Sequence, residues 1–393
     1  MTTRTVRMPH VDARYVQRVL ENLIRINSVN PGLDPSATGE REIADYLAGE
    51  FRRMGLEVRV HEPAPGRPSV VGILHGDGTG PTLMLNGHFD TVDVRGMSRP
   101  FEPEMSSGSM RGRGSYDMKG AVAACIGAAK ALRDDDVRLG GDLLVACVAD
   151  EEVASLGTQD LLGRYTPSAA IVTEPSNLEV CVAHKGFTWI AVTTRGRAAH
   201  GSQHEIGIDA NTRMGRVLVA IDELDKSLAQ RCHPLLGRAS VHAATLRGGS
   251  GASTYAAECV LEIERRTLPG ESATVATAEV DAILSRLRES DPSFVADAQV
   301  LLSREPFEVR PDSSIVSIVQ QSAVSVLGRP VPLRGEKPWM DAAFLSAAGV
   351  DTVVIGPRGA GAHGPDEWVD FSSVVQLADI LVRSTIAYCQ RSR

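Results

Sequence analysis

His88 and Asp90 stand two residues apart at the end of Pro81-Thr-Leu-Met-Leu-Asn-Gly-His-Phe-Asp90, where an apolar run gives way to polar chain. Residues i and i+2 of an extended segment project to one side, so Asp90 can reach the His88 ring. A histidine held by a neighbouring carboxylate suits metal ligation or acid–base work. Other apolar runs lead to groups of the same kind. Asp142-Leu-Leu-Val-Ala-Cys-Val-Ala-Asp-Glu-Glu152 ends in three carboxylates, and Ala169-Ala-Ile-Val-Thr-Glu-Pro175 ends in Glu174. The run 351–356 is followed a few residues later by His363, and Asp117 lies in the glycine-rich segment 112–120. Taken singly, each has an ordinary reading: a solvated helix start, a turn before proline, a loop histidine. Together they fall where an open α/β sheet binds its ligands, beyond the carboxyl ends of its strands.

Imidazole and carboxylate donors without thiolate suit zinc, cobalt or manganese. Two histidines and three carboxylates can hold two ions if one carboxylate bridges them. Such a pair polarises a carbonyl and acidifies a bound water. One carboxylate must then stay free as general base. Glu151 and Glu152 are adjacent, so in extended chain they diverge, one to coordinate and one to face the water.

Several elements must position these groups. Val16, Val19, Leu20, Leu23 and Ile24 have helical spacing, stopped at Asn30-Pro-Gly; Ile43, Tyr46, Leu47, Phe51 and Met54 mark a second helix. Strands are expected at 56–61, 69–75 and from Thr82, the last two joined through Gly76-Asp-Gly-Thr-Gly80 in hairpin fashion. A helix over about 121–132 and strands near 142–148 and 169–173 complete an alternating, doubly wound α/β pattern. From residue 185 the order changes to β-α-β-β-α-β, a ferredoxin-like module. The α/β pattern then resumes near 305 and ends in a helix over about 372–389. The expected division is 1–184, an inserted domain at 185–304, and 305–393.

Composition narrows the function. A chain of 393 residues with 43% hydrophobic content builds more than one core, and a formal charge of −8 argues against nucleic acid or an anionic membrane as partner. No signal-like N-terminus or membrane-length apolar run is seen, and the six cysteines are scattered without Cys-x-x-Cys. The expectation is a cytoplasmic protein with buried thiols. Gly112-x-Gly114 lacks the third glycine of a dinucleotide fingerprint, and neither a phosphate-binding Gly-Lys-Ser/Thr loop nor a Gly-x-Ser-x-Gly elbow occurs.

The segments Gly87-His-Phe-Asp-Thr-Val92, Gly112-Arg-Gly-Ser-Tyr-Asp-Met-Lys-Gly120, Ala149-Asp-Glu-Glu152, Thr173-Glu-Pro-Ser176 and Ala362-His-Gly-Pro-Asp-Glu-Trp368 resemble the M20 metallopeptidases. The similar subgroup is that of acetylornithine deacetylase, succinyl-diaminopimelate desuccinylase and the glutamate carboxypeptidases. The resemblance implies a zinc-peptidase-like catalytic domain whose insert serves as lid and dimerisation domain of a homodimer. It implies two Zn2+ ions, with Co2+ or Mn2+ as alternatives: His88 and Glu174 on one, Glu152 and His363 on the other, and Asp117 bridging. Asp90 would orient His88, Glu151 would be the general base, and the Asp117–Met118 peptide would be cis. In the insert, His200 of Gly196-Arg-Ala-Ala-His-Gly201 would steady the oxyanion, in the family usually from the partner subunit. Arg266 would hold a substrate carboxylate with its fork of donors. This chain departs from the family at Gly248-Gly-Ser-Gly and at Met340-Asp-Ala342, both where substrate is recognised. The expected activity is hydrolysis of an N-acyl amino acid. A carboxypeptidase or dipeptidase, or a catalytically silent binding homologue, is the alternative.

Overall fold

The computed structural model describes residues 8–390. It divides the chain into two compact units: one runs to Val182 and continues through Val309–Arg334 and from Met340 onward, and the other comprises Ala183–Glu308 and Gly335–Trp339. In the first unit, α1 (Ala13–Arg25) starts at Asp12, whose carboxylate accepts the N–H groups of Arg14 and Tyr15. It buries Val16, Val19, Leu20, Leu23 and Ile24, the face that the spacing predicts, but it stops at Arg25, short of Asn30. Next come α2 (Arg41–Arg53), β1 (Glu57–His61), β2 (Ser69–Leu74) and β3 (Leu83–His88). A small hairpin, β4 (Glu104–Ser106) and β5 (Ser109–Arg111), precedes α3 (Gly120–Asp134). Then follow β6 (Leu143–Val148), α4 (Leu156–Leu162), β7 (Ala169–Val172) and β8 (Val180–His184).

The second unit has the expected order: β9 (Gly186–Arg195), α5 (Ala210–Leu228), β10 (Ser240–Gly248), β11 (Glu258–Thr267), α6 (Ala273–Ser290) and β12 (Val295–Arg304). Its four-stranded antiparallel sheet runs β10-β11-β9-β12. Ile190, Val192, Leu261 and Ile263 point from that sheet into a core shared with Met214, Val217, Val280 and Leu284 of the helices.

The first unit then resumes with α7 (Ser314–Leu327), α8 (Ala342–Ala347), β13 (Asp351–Val354), β14 (Gly359–Ala360), β15 (Trp368–Asp370) and α9 (Phe371–Cys389). Its main sheet runs β1-β2-β6-β3-β7-β13-β8. The centre, β6-β3-β7-β13, is parallel throughout. Parallel central strands are covered on both faces, which is why each reads as an unbroken apolar run rather than an alternating one. Their shared direction sends all four carboxyl ends to one edge of the sheet. Among the described residues no helix is long and apolar enough to cross a membrane. All six cysteines are free thiols; five are buried as expected and Cys232 is exposed.

The link between β2 and β3 is not a hairpin. β6 lies between the two strands, antiparallel to β2 and parallel to β3. The glycines there serve close backbone crossing instead of a tight turn. A Cβ on Gly80 would lie 2.0 Å from the Cys389 carbonyl oxygen, and one on Gly141 would lie 1.9 Å from that of Pro81. Gly141→Ala is therefore expected to destabilise the protein by at least about 2 kcal/mol. Gly49→Ala, inside α2 and facing only the flexible end of Arg53, should stabilise it by about 0.5–1 kcal/mol. Shifts in urea midpoint of opposite sign would bear this out; a neutral Gly141→Ala would overturn it.

Candidate dinuclear metal site

The edge at which the parallel strands end is where the titratable groups meet. β3 delivers His88, 2% exposed, and a Cβ on the preceding Gly87 would come within 3.0 Å of Met118 and Thr173, so the strand must be bare there. β6 leads into a turn with Asp150 in the left-handed region (φ 71°), which carries Glu151 and Glu152. β7 leads to Glu174. His363 sits, also with positive φ (62°), in the loop joining β14 to β15. Asp117 lies just ahead of α3, and the Asp117–Met118 peptide is cis.

Asp117 occupies the centre. Its Oδ1 is 3.2 Å from His88 Nε2, and its Oδ2 is 3.3 Å from His363 Nε2. Glu174 Oε1 lies 3.5 Å from His88 Nε2, and Glu152 Oε2 lies 3.1 Å from His363 Nε2. Glu151 Oε2 stands a little back, 3.9 Å from His88 Nε2. The other ring nitrogen of His88 faces Asp90, 3.0 Å from its backbone oxygen and 3.5 Å from Oδ1. A proton held on that nitrogen leaves Nε2 free to turn a lone pair toward the cluster. His363 forms the exposed rim of an otherwise largely buried group.

The carboxylate of Asp90 does more than face His88. It accepts the backbone N–H of Glu151 at 3.1 Å and that of Glu152 at 3.2 Å, so the turn bearing both glutamates hangs from it. The two glutamates are thus parted by a turn, not by extended chain.

Electrostatics explain what such a set can hold. Burial pushes the Glu151 carboxyl upward and Glu174 to about 8, with neighbouring carboxylates adding to the push. Burial works against a charged His88, yet Glu174, Asp117 and Asp90 raise it on balance. Hydrogen bonds with Asp117 and Glu152 lift His363 to about 10. Negative charge is in excess, and Glu152 Oε1 is buried with no hydrogen-bond partner among the described residues. His88, Glu151 and Glu174 offer ligand atoms within 4.8 Å of one another, as do His88, Asp117 and Glu152. Nitrogen and oxygen donors so arranged fit divalent cations of the zinc, cobalt or manganese type.

His200 and Arg266 belong to the second unit. The His200 side chain is exposed, with Nδ1 2.9 Å from the Ser202 hydroxyl. Arg266 donates from Nε to Glu264 at 2.7 Å and lies 5.2 Å from the Phe187 ring; Trp189 donates to the second Glu264 oxygen at 2.9 Å.

Three supporting residues lie outside the set of ligands and catalytic groups expected from the sequence. Glu367, fully buried, accepts N–H bonds from Gly114, Tyr116 and Asp117 and pairs with Arg113 at 2.7 Å, fixing the loop that carries Asp117. Its position four residues after His363 was the available signal. Asn30, read as a helix stop, donates to both Asp90 (2.8 Å) and Asp150 (3.0 Å), and accepts from Arg67, which also pairs with Glu40. Asp341, buried and pushed by burial to about 6, accepts from Thr158, which in turn accepts from Asn86 on β3.

Comparison with known proteins agrees with this geometry. The family model described as peptidase family M20/M25/M40 matches residues 84–386. The chain is 28% identical to N-formyl-4-amino-5-aminomethyl-2-methylpyrimidine deformylase of Halalkalibacterium halodurans, covering 97% of this chain and 96% of the relative. It is 27% identical to acetylornithine deacetylase of Vibrio campbellii, over 94% and 98% of the two chains. The fold matches the crystal structure of aminopeptidase PepT from Bacillus cereus with a TM-score of 0.80 at 17% identity, over 97% of this chain and all of that one. With sequence motifs, strand-end cluster and family match in agreement over most of its length, the chain belongs to peptidase family M20/M25/M40.

Proposed function

We propose that the chain is a two-metal amidohydrolase that removes a small acyl group from the amine of a small carboxylate-bearing substrate, an N-acyl amino acid, with Glu151 as general base. The observation that carries this reading is the cluster around Asp117. Its two oxygens face two histidines, a further glutamate stands beside each histidine, and Glu152 keeps a buried oxygen without a partner among the described residues. Family membership supports amide hydrolysis, and the deformylase and the deacetylase support a small acyl group.

In this reading His88 and Glu174 would hold one divalent cation, Glu152 and His363 would hold the other, and Asp117 would serve both. When bound, the cations supply Lewis acidity to polarise the amide carbonyl and acidify water. Zinc is the first choice, with cobalt or manganese as alternatives. Glu151, set back from the other ligands and raised by burial, takes the proton of the attacking water and returns it to the leaving amine. Asp90 holds the His88 ring and the Glu151–Glu152 turn in register. His200 donates to the developing oxyanion, from the same chain or from the partner of a homodimer formed through the inserted domain. Arg266 holds the substrate carboxylate once Glu264 yields it.

Glu151→Gln should lower kcat by about 10²–10⁴-fold while metal content, read by elemental analysis, stays unchanged. Retained turnover would remove Glu151 as base. Asp117→Asn should lose at least one of the two ions per chain, and treatment with a chelator should abolish turnover until metal is restored. A panel of N-formyl, N-acetyl and N-succinyl amino acids set against dipeptides tests the substrate. Faster cleavage of dipeptides would favour a peptidase, and no cleavage by metal-loaded protein would favour a silent binding homologue.

A further inference from the structure

Apart from the metal site, a cleft of about 460 Å3 opens between α1, α2 and α3 at the end of α3 remote from Asp117. Thirteen residue steps of helix lead from Gly120 to Arg133, which is ~20 Å of axis at 1.5 Å per residue. Arg18, Arg53, Lys130 and Arg133 line the cleft with four cations, against the two carboxylates of Glu50 and Asp134. Both carboxylates are engaged. Glu50 takes Arg53 at 2.7 Å on one oxygen and the Tyr15 hydroxyl at 2.9 Å on the other, and Asp134 takes Lys130 at 2.5 Å. Among the described residues the remaining two cations have no carboxylate partner. Arg18 only stacks, 5.0 Å from the Tyr15 ring, and the Arg133 side chain makes no hydrogen bond or ion pair among the described residues.

We propose that this cleft binds the phosphoryl group of a small organic phosphate. An excess of two positive charges around one cavity runs against the formal charge of −8 of the whole chain. Guanidinium forks match phosphate oxygens in pairs, and the volume lies in the range of small-molecule sites. Met54 offers an apolar wall for the organic part. The buried Tyr15 ring, with Arg18 on it and Lys130 Nζ at 5.1 Å, fixes where two of the cations stand. The cleft takes no part in the amide chemistry proposed above. It does join helices that lead to the metal site: α1 runs on to Ile26, whose carbonyl accepts from Lys119, and α2 begins beside Glu40, the partner of Arg67.

The test is calorimetric titration of the metal-loaded full chain at constant ionic strength, with inorganic phosphate and with ribose 5-phosphate as probes and chloride as the control. The expected result is saturable binding of one probe per chain that weakens at least tenfold in Arg18→Ala/Arg133→Ala, with hydrolysis of the best N-acyl substrate unchanged. Tighter binding of the ester assigns the site to organic phosphates; equal binding assigns it to the free ion. Should the double variant fold poorly, Arg18→Gln and Arg133→Gln singly must each weaken binding several-fold. Absence of saturable binding, or unchanged affinity in the variants, as phosphate held at the metal site would give, overturns the proposal. The binding readouts decide the proposal by themselves, whether or not the chain hydrolyses an amide.

Discussion

Asp117, Glu151, Glu152 and Glu174 crowd into a largely buried space, and like charges so placed cannot all stand ionised without a compensating cation. Much of the first unit can be understood as holding that unfavourable arrangement in place. The parallel strands bring the carboxylates to one edge. Backbone N–H groups and one buried arginine then fix the loops, so that side-chain repulsion cannot push them apart. Glu367 clamps the Asp117 loop through three backbone donors, and Asp90 clamps the Glu151–Glu152 turn through two.

A layer behind the cluster carries this further. Asp90, Asp150 and Glu40 converge on Asn30 and Arg67, a set of three acids on one base. Burial outweighs the Arg67 contact at Glu40 and lifts its carboxyl to about 8. The deficit of positive charge thus runs from the open edge of the site inward. An amide side chain, Asn30, does work that a charged residue would do at greater desolvation cost.

How much of this could be read from the chain alone varies with the distance over which each feature is decided. Amphipathic spacing located α1 and α2, and unbroken apolar runs located the parallel strands, because burial on one stripe or on both faces leaves a local trace. The ferredoxin-like order was legible for the same reason. The neighbours of β2 were not. Gly76–Gly80 carries the composition of a tight turn, and only the packing of Cys389 and Gly141 against it reveals another use. At the site, the acids and histidines were visible through their places after apolar runs. Asn30 and Glu367 were not, since their partners lie 60 and about 250 residues away and leave no periodic mark.

The place of β13 in the sheet bears on how the protein is made. Residues 351–354 fill the slot between β7 and β8, strands that leave the ribosome some 170 residues earlier. The helical and antiparallel elements of the second unit are contiguous enough to fold as soon as they are synthesised. The first unit must wait with a gap in its sheet, and with the Asp117 loop still lacking its Glu367 clamp, until residues 351–367 emerge. Biogenesis of the centre is therefore a late event, and a nascent chain released before that point carries the acids and lacks the frame that tolerates them.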